Sequence, residues 1–378
     1  MLKKIIYQGL VAGLFIALLA GCTPAVAPAA PDETPGKTEA DTDGAVSAYS
    51  LVDALSREVT FQAPPSRIVL SGKGLFMIAD ALYLFPGAAE RIAAMGETDQ
   101  GAGNFIALID PNYTGKAVLG AQAGAEQIAA YQPDAVILKS YLAESLGSSI
   151  EALGVPVVYV EFETPTQYER DLRVIGTLLQ EEARAAELVE LYQARRQAVE
   201  AALSGLEESE KPRTLLLYTS DKDGKVAFNV PPLGWMQTLL VEMAGGKPLW
   251  RDASLGGGWT TVTLEQIAAW DADAIFIVSY FSDPSVTVST LKSDPNWALL
   301  RAVREGQMYA FPFDLFSWDQ PDPRWILGLQ WLASRLHPQR FAEMDITAEA
   351  RSFYRDFYGL DEDFFEQNIL PTFKGDLP

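Results

Sequence analysis

The chain of 378 residues has one cysteine, Cys22, and one histidine, His337. A lone thiol closes no intrachain disulfide, so stability must come from a packed core. A hydrolase would need a nucleophile beside a histidine base, yet there is no G-x-S-x-G elbow and no second histidine. With no His/Cys grouping, a bare transition-metal site also lacks its ligands, and no metal residue is assigned. His337 closes a predicted helix just before Pro338, where an imidazole suits the negative end of the helix dipole. Basic residues are scarce as well: 29 Lys and Arg stand against 50 Asp and Glu, a formal net charge of −21. That balance excludes nucleic acid, whose phosphates need a basic face. It says little about a small ligand, because an acidic surface serves solubility. Neither a Walker sequence nor G-x-G-x-x-G spacing occurs, so a nucleotide site is not indicated. No spacing of Asp and Glu singles out a pair for glycoside chemistry.

What is present begins with Lys3 and Lys4, an apolar run from Ile5 to Ala20, and the step Leu19-Ala20-Gly21-Cys22. That order is a secretory signal ending in a lipobox. The apolar run is short of the roughly 20 residues that a bilayer core needs. The segment resembles bacterial lipoprotein signals, which are cleaved before the cysteine, whose thiol then takes up a diacylglycerol. Residues 1–22 are therefore expected to be a signal peptide, Cys22 the lipidation site, and the protein extracytoplasmic and lipid-anchored to the cell membrane. Residues 23–48 change to Pro, Ala, Thr, Gly, Asp and Glu, a composition that buries too little to order itself. As flexible coil, about 24 such residues would hold the folded part roughly 25–30 Å from the membrane.

The remainder, about 330 residues, is long enough for about two domains on the usual prior. It opens with Arg67-Ile68-Val69-Leu70-Ser71-Gly72-Lys73-Gly74 and a helical pattern from Leu75 to Leu84, the strand, glycine loop and helix that start an α/β unit. The most informative feature is an internal repeat. Glu126 to Ser140 recurs as Glu265 to Ser279, with eight of fifteen positions identical at an offset of 265 − 126 = 139. That offset is too long for a solenoid repeat, and it fits two similar domains. Within each copy a short helix precedes an Asp-Ala step and a continuous apolar strand, as in a parallel sheet covered on both faces. Between the copies, Leu172, Ile175 and Leu179, then Leu188, Tyr192, Val199 and Leu203, keep helical spacing. A helix of about 22 residues there would be roughly 33 Å long. The expected organisation is an α/β fold of two parallel-sheet lobes, residues 49–165 and 207–378, joined by connecting helices at 166–206, one of them long, with a ligand groove between the lobes. A rigid helical connection of this kind implies small hinge motion.

From about Ser66 to Asn368 the chain resembles the helical-backbone class of ABC-transporter substrate-binding proteins, which serve ferric siderophores, haem, cobalamin and some metal ions or oxyanions. The resemblance is carried by Arg67-Ile68-Val69, the run Glu126 to Leu138, Leu153 to Val158, the long helix, Val241 to Gly246, Trp259 to Glu265, and Trp297 through Phe311, in that order and at those distances. It implies that a small molecule is captured between the lobes and delivered to ABC permease subunits, with no cofactor and no catalysis. In the cobalamin-binding member one glutamate on each lobe pairs with permease arginines, and Glu126 and Glu265 match those positions. An exposed carboxylate there also suits the first turn of a helix. For the ligand, the resemblance and the loop positions point to Lys73, Lys139 and Tyr141 in the first lobe, and to Trp235, Trp259, Tyr280, Phe281, Phe316, Trp318 and Asp319 in the second. Planar rings suit macrocycles or aromatic chelators, and the lysines would meet an anionic chelate. The chain departs from the cobalamin binder at Gly120, Phe316 and Gln320, which lowers the case for a corrin. A metal chelate, with iron–siderophore first, is the expected ligand, followed by haem or a corrinoid and then an oxyanion such as molybdate. A surface adaptor or a hydrolase is the alternative of another class.

Overall fold

The computed structural model describes residues 48–97, 100–120, 122–222, 225–253 and 256–377. The lipobox with Cys22 and nearly all of the tether lie outside these residues. The described chain opens with a small antiparallel hairpin, β1 (Tyr49–Val52) and β2 (Glu58–Phe61), whose turn is held by the Asp53 carboxylate accepting from the Leu55 and Arg57 backbone.

The first lobe is built on β3 (Ile68–Leu70), β4 (Ile92–Gly96), β5 (Ala117–Leu119), β6 (Ala135–Lys139) and β7 (Val157–Val160), in the order β5-β4-β3-β6-β7, all parallel. Because side chains alternate along a strand, Ile68, Leu70 and Ile137 face the main core while Val69, Val136 and Leu138 face a second, smaller one. Both faces are covered, which is why these strands read as unbroken apolar runs.

The second sheet holds β8 (Arg213–Lys222), β9 (Lys225–Val230), β10 (Lys247–Pro248), β11 (Thr260–Val262), β12 (Ala274–Val278) and β13 (Met308–Ala310). Its order is β11-β9-β8-β12-β13, with β10 beside the start of β8. The expected parallel sheet is present in β10, β8, β12 and β13, and it is extended by a hairpin of β8 and β9, from which β11 continues antiparallel.

The repeat is structural down to single hydrogen bonds. Helices α2 (Ala125–Ala129) and α6 (Leu264–Trp270) precede β6 and β12, each of which lies between two parallel neighbours. Asp134 accepts from the Ser66 and Arg67 amides that open β3, and Asp273 accepts from the Arg213 amide that opens β8. The Arg67 guanidinium donates to the Tyr131 carbonyl and that of Arg213 to the Trp270 carbonyl, two acceptors again 139 residues apart. Gln132 and Asp271 both turn the chain with positive φ, 48° and 44°. The Gln127 and Gln266 side chains both reach back to cap their helices.

The lobes are joined by α3 (Pro165–Leu179) and α4 (Glu182–Ala202). They are separated at Gln180, which is left-handed with φ 57°, and the Glu181 amide closes back on the Gly176 carbonyl. The 21 residues of α4 make a rod of about 31 Å. Tyr192 on α4 stacks on Trp325 at 5.3 Å and 5°, at the start of α7 (Trp325–Leu336). Arg184 donates to the Leu84 carbonyl in the first lobe and to the Phe357 carbonyl near the end of α8 (Ile346–Tyr358).

Candidate functional site

The ends of the strands decide where a ligand can sit, since open α/β sheets bind at the carboxyl ends of their strands. After β4 the chain crosses to the other lobe. The Gly101 amide donates to the Tyr280 carbonyl beyond β12 at 3.0 Å, and the Ala102 amide to Leu315 beyond β13 at 2.9 Å. The segment that follows β4 in the first sheet is thereby tied to the segments that follow the carboxyl ends of β12 and β13 in the second. Gly101 needs its φ of +94°, and a Cβ there would lie 2.5 Å from the Leu315 oxygen. Beneath, Phe76 on α1 (Leu75–Leu82) stacks on Phe316 at 4.6 Å and 11°.

Four aromatic rings form a wall on the second lobe. Tyr218, near the middle of β8, stacks on Tyr280 at 4.6 Å and tilts against Trp259 at 5.0 Å. Trp235, at the start of α5 (Met236–Met243), meets Trp259 edge-on at 5.8 Å. Tyr218, Trp235 and Trp259 are half-buried, so part of each side chain stays accessible, whereas Tyr280 beneath them is 5% exposed. Phe281, the next residue after Tyr280, is 63% exposed. Trp235, Trp259 and Tyr280, three of the expected ligand contacts, lie together, and Tyr218 completes the set. Its signal was its place at the end of the apolar run Leu215 to Tyr218.

Behind this wall lies Asp319, wholly buried. One carboxylate oxygen accepts from the Tyr280 hydroxyl at 2.8 Å and the other from the Ser317 hydroxyl at 2.6 Å. Burial pushes Asp319 up to about 6, opposed by its hydrogen bonds from Ser317, Tyr280 and Gln237. The Gln237 side chain reaches the same Tyr280 oxygen at 3.4 Å, and its own amide oxygen has no partner although buried.

Three expected ligand contacts lie elsewhere. Phe316 and Trp318 are 1% and 0% exposed. Phe316 is held by Phe76, and the Trp318 indole donates to Asp314 at 3.0 Å and abuts Phe373; neither presents surface to a ligand here. Lys139 is also no waiting cation. Its ammonium is buried, pairs with the Glu163 carboxylate at 2.7 Å and donates to the Glu161 carbonyl. At the end of β3, Lys73 is exposed and its carbonyl accepts from the Tyr141 hydroxyl at 2.9 Å, so these two residues share the first-lobe rim.

Glu126 and Glu265 are both exposed in the first turn of α2 and α6. The Glu265 carboxylate is held below its ordinary value by its own backbone N–H and the Thr263 hydroxyl. His337, at the end of α7, is buried against the Gly245 carbonyl at 3.2 Å, and desolvation lowers its pKa. Among the described residues no group of three His, Cys, Asp or Glu is arranged to hold a metal ion.

A family model described as periplasmic binding protein matches residues 85–315. The chain is 24% identical to the molybdate-binding protein MolA of Haemophilus influenzae over 254 residues, which are 62% of this chain and 69% of that protein. It is 26% identical to the achromobactin-binding periplasmic protein of Dickeya dadantii over 256 residues, 63% of this chain and 79% of that one. The fold matches a periplasmic solute binding protein from Veillonella parvula with a TM-score of 0.67 and 21% identity, covering 86% of this chain and 97% of the other. The chain belongs to the periplasmic binding protein family, and its two lobes joined by helices are the fold of the solved solute-binding proteins it resembles.

Proposed function

We propose that this protein captures a metal chelate, with an iron–siderophore complex as the first choice, and hands it to an ABC permease by binding and release without turnover. The observation that carries this reading is the wall of Tyr218, Trp235, Trp259 and Tyr280 beside the carboxyl end of β12. Open aromatic faces bury the flat or apolar flank of a chelate at low conformational cost. The achromobactin-binding relative supports the same class. Haem or a corrinoid would use the same rings. Molybdate is the second reading, favoured by the similarity to a molybdate-binding protein; it would rely on backbone donors, since Lys139 is already paired.

Around this centre we place the lobes at residues 49–165 and 207–378, the connecting helices at 166–206, Lys73 and Tyr141 on the first-lobe rim, Phe281 at the edge of the wall, Glu126 and Glu265 as permease-docking carboxylates, and Cys22 as the lipid anchor. Arginine–carboxylate pairing is directional, and two glutamates related by the repeat suit a permease whose subunits are themselves related by symmetry. The deciding experiment is native mass spectrometry of the protein purified from its own cells. A co-purified chelate lost on Trp259→Ala supports the reading, whereas bound molybdate, or no ligand together with no response to chelates in titration, refutes it.

A further inference from the structure

The buried carboxylates differ in one respect. Asp53 pairs with Arg57, Asp110 with Lys116, Asp171 with Arg170, and Asp80, Asp314 and Asp322 with Arg324. Asp319 is the buried carboxylate that has no ion pair among the described residues. The groups around it are the Ser317 hydroxyl from its own loop, the Tyr280 hydroxyl beyond β12, the Gln237 amide from α5 and the Tyr218 ring from β8. None of these is a cation. Beside it the Gln237 amide oxygen is buried and unpartnered, on a residue only 4% exposed. A buried acceptor without a donor is costly unless a ligand supplies one. The floor of the aromatic wall therefore holds a carboxylate without an ion pair and one free acceptor.

Two buried cations that could offset this are already paired. Lys139 is neutralised by Glu163, which leaves exposed Lys73 at the rim. Arg324 is surrounded by three carboxylates and fully buried, so it has no charge left for an anion.

Resting on the chelate reading, we infer that the groove selects a neutral or cationic chelate that presents a hydrogen-bond donor to the wall, with Asp319 and Gln237 as the specificity-determining pair. Asp319 acts through Tyr280 and through its field, as a positioning and charge-selecting residue. In a site shielded from water such a field is felt more strongly than at the surface. A compact oxyanion or a polyanionic chelate meets the same charge as repulsion.

The test is a charge series in tryptophan-fluorescence titrations of the whole protein at about pH 7.5. The probes are a linear ferric trihydroxamate with a free amine, a neutral cyclic ferric trihydroxamate, a ferric tris-catecholate and molybdate. The two hydroxamates should bind at least about tenfold tighter than the two anions. Asp319→Asn should weaken the amine-bearing chelate about tenfold, a shift of about 1.4 kcal/mol. It should also abolish the fall in that chelate's affinity as the wild-type carboxylate is protonated below about pH 6. A catecholate or molybdate bound as tightly as the hydroxamates overturns the inference and leaves the groove reading standing. Silence from all four probes overturns both. If the Asn variant does not fold, the wild-type charge series decides alone.

Discussion

Arg324→Met isolates the main electrostatic joint between the lobes. Arg324 is fully buried and pairs with Asp80 on α1 at 2.6 Å, Asp314 at 3.0 Å and Asp322 at 3.3 Å, and it donates to the Tyr354 hydroxyl at 3.0 Å. Three carboxylates against one guanidinium leave the cluster over-anionic. Accordingly, burial pushes Asp80 up to about 6 even with Arg324 beside it, and raises Asp322 well above the carboxylate range. Removing the cation leaves three buried acids facing one another. Breaking such a pair costs about 3–5 kcal/mol, a large share of the roughly 5–15 kcal/mol that holds a domain together. The acids can escape only by taking up protons. A carboxylate whose folded pKa is raised binds more protons folded than unfolded, so stability is lost as pH rises from about 4 through that raised value. Without Arg324 the raised values climb further, and the loss should be larger at pH 7.5 than at pH 5 by at least about 1 kcal/mol. Urea unfolding followed by tryptophan fluorescence at both pH values measures this. A penalty under about 1 kcal/mol at pH 7.5, or one independent of pH, would refute the charge accounting. Asp80→Asn is the companion: it takes one negative charge from an over-anionic cluster and keeps an acceptor for Arg324, so it should cost less than about 1.5 kcal/mol.

Trp318→Ala should cost about 3–5 kcal/mol in unfolding because the ring is buried and its indole N–H is bonded. Trp259→Ala should leave the fold intact and weaken ligand binding about tenfold to hundredfold; equal effects on stability would return Trp259 to the core. Replacing Glu126 and Glu265 together by Ala should preserve affinity in solution while uptake by cells falls, and a matching loss of affinity would move them into the groove. Cys22→Ser should release the protein from washed membranes; persistence there, with the signal cleaved, rules out the lipobox reading. Small-angle scattering with and without ligand should show a change in radius of gyration below about 1 Å, because a helical joint permits little closure.

How much was legible depended on whether a feature was coded locally. The repeat could be read because Asp134 and Asp273, Gln127 and Gln266, and the turn residues Gln132 and Asp271 do their work within a few residues of where they stand, or on the first residue of the adjoining strand. The hairpin of β8 and β9 also had a local signal, the Asp223-Gly224 pair between two β-rich runs, but the continuous apolar strands elsewhere favoured a parallel reading. Lys139 was misleading for a non-local reason. Its partner Glu163 follows β7, and only the pairing of β6 with β7 brings the two together. The burial of Trp318 had one sequence trace, Gly328 on α7, where a Cβ would lie 2.1 Å from the Trp318 carbonyl. A small residue at a helix crossing is too common a pattern to be decoded without the partner.

The loop from Asp314 to Arg324 shows why composition alone misassigned its residues. It carries six charged or aromatic positions, three of which, Phe316, Trp318 and Asp319, the sequence reading assigns to the groove, yet the fold divides the six between two tasks. Asp314 and Asp322 turn to Arg324, and Phe316 turns to Phe76, so that part of the loop braces one lobe against the other. Asp319 turns the opposite way, to Tyr280 beneath the aromatic wall. Such a brace opposes closure of the lobes, and a groove that closed little could not wrap its ligand to gain selectivity. On the proposed reading, selectivity is built into the resting walls, where the rings give breadth of contact and the unpaired charge beneath them gives the choice.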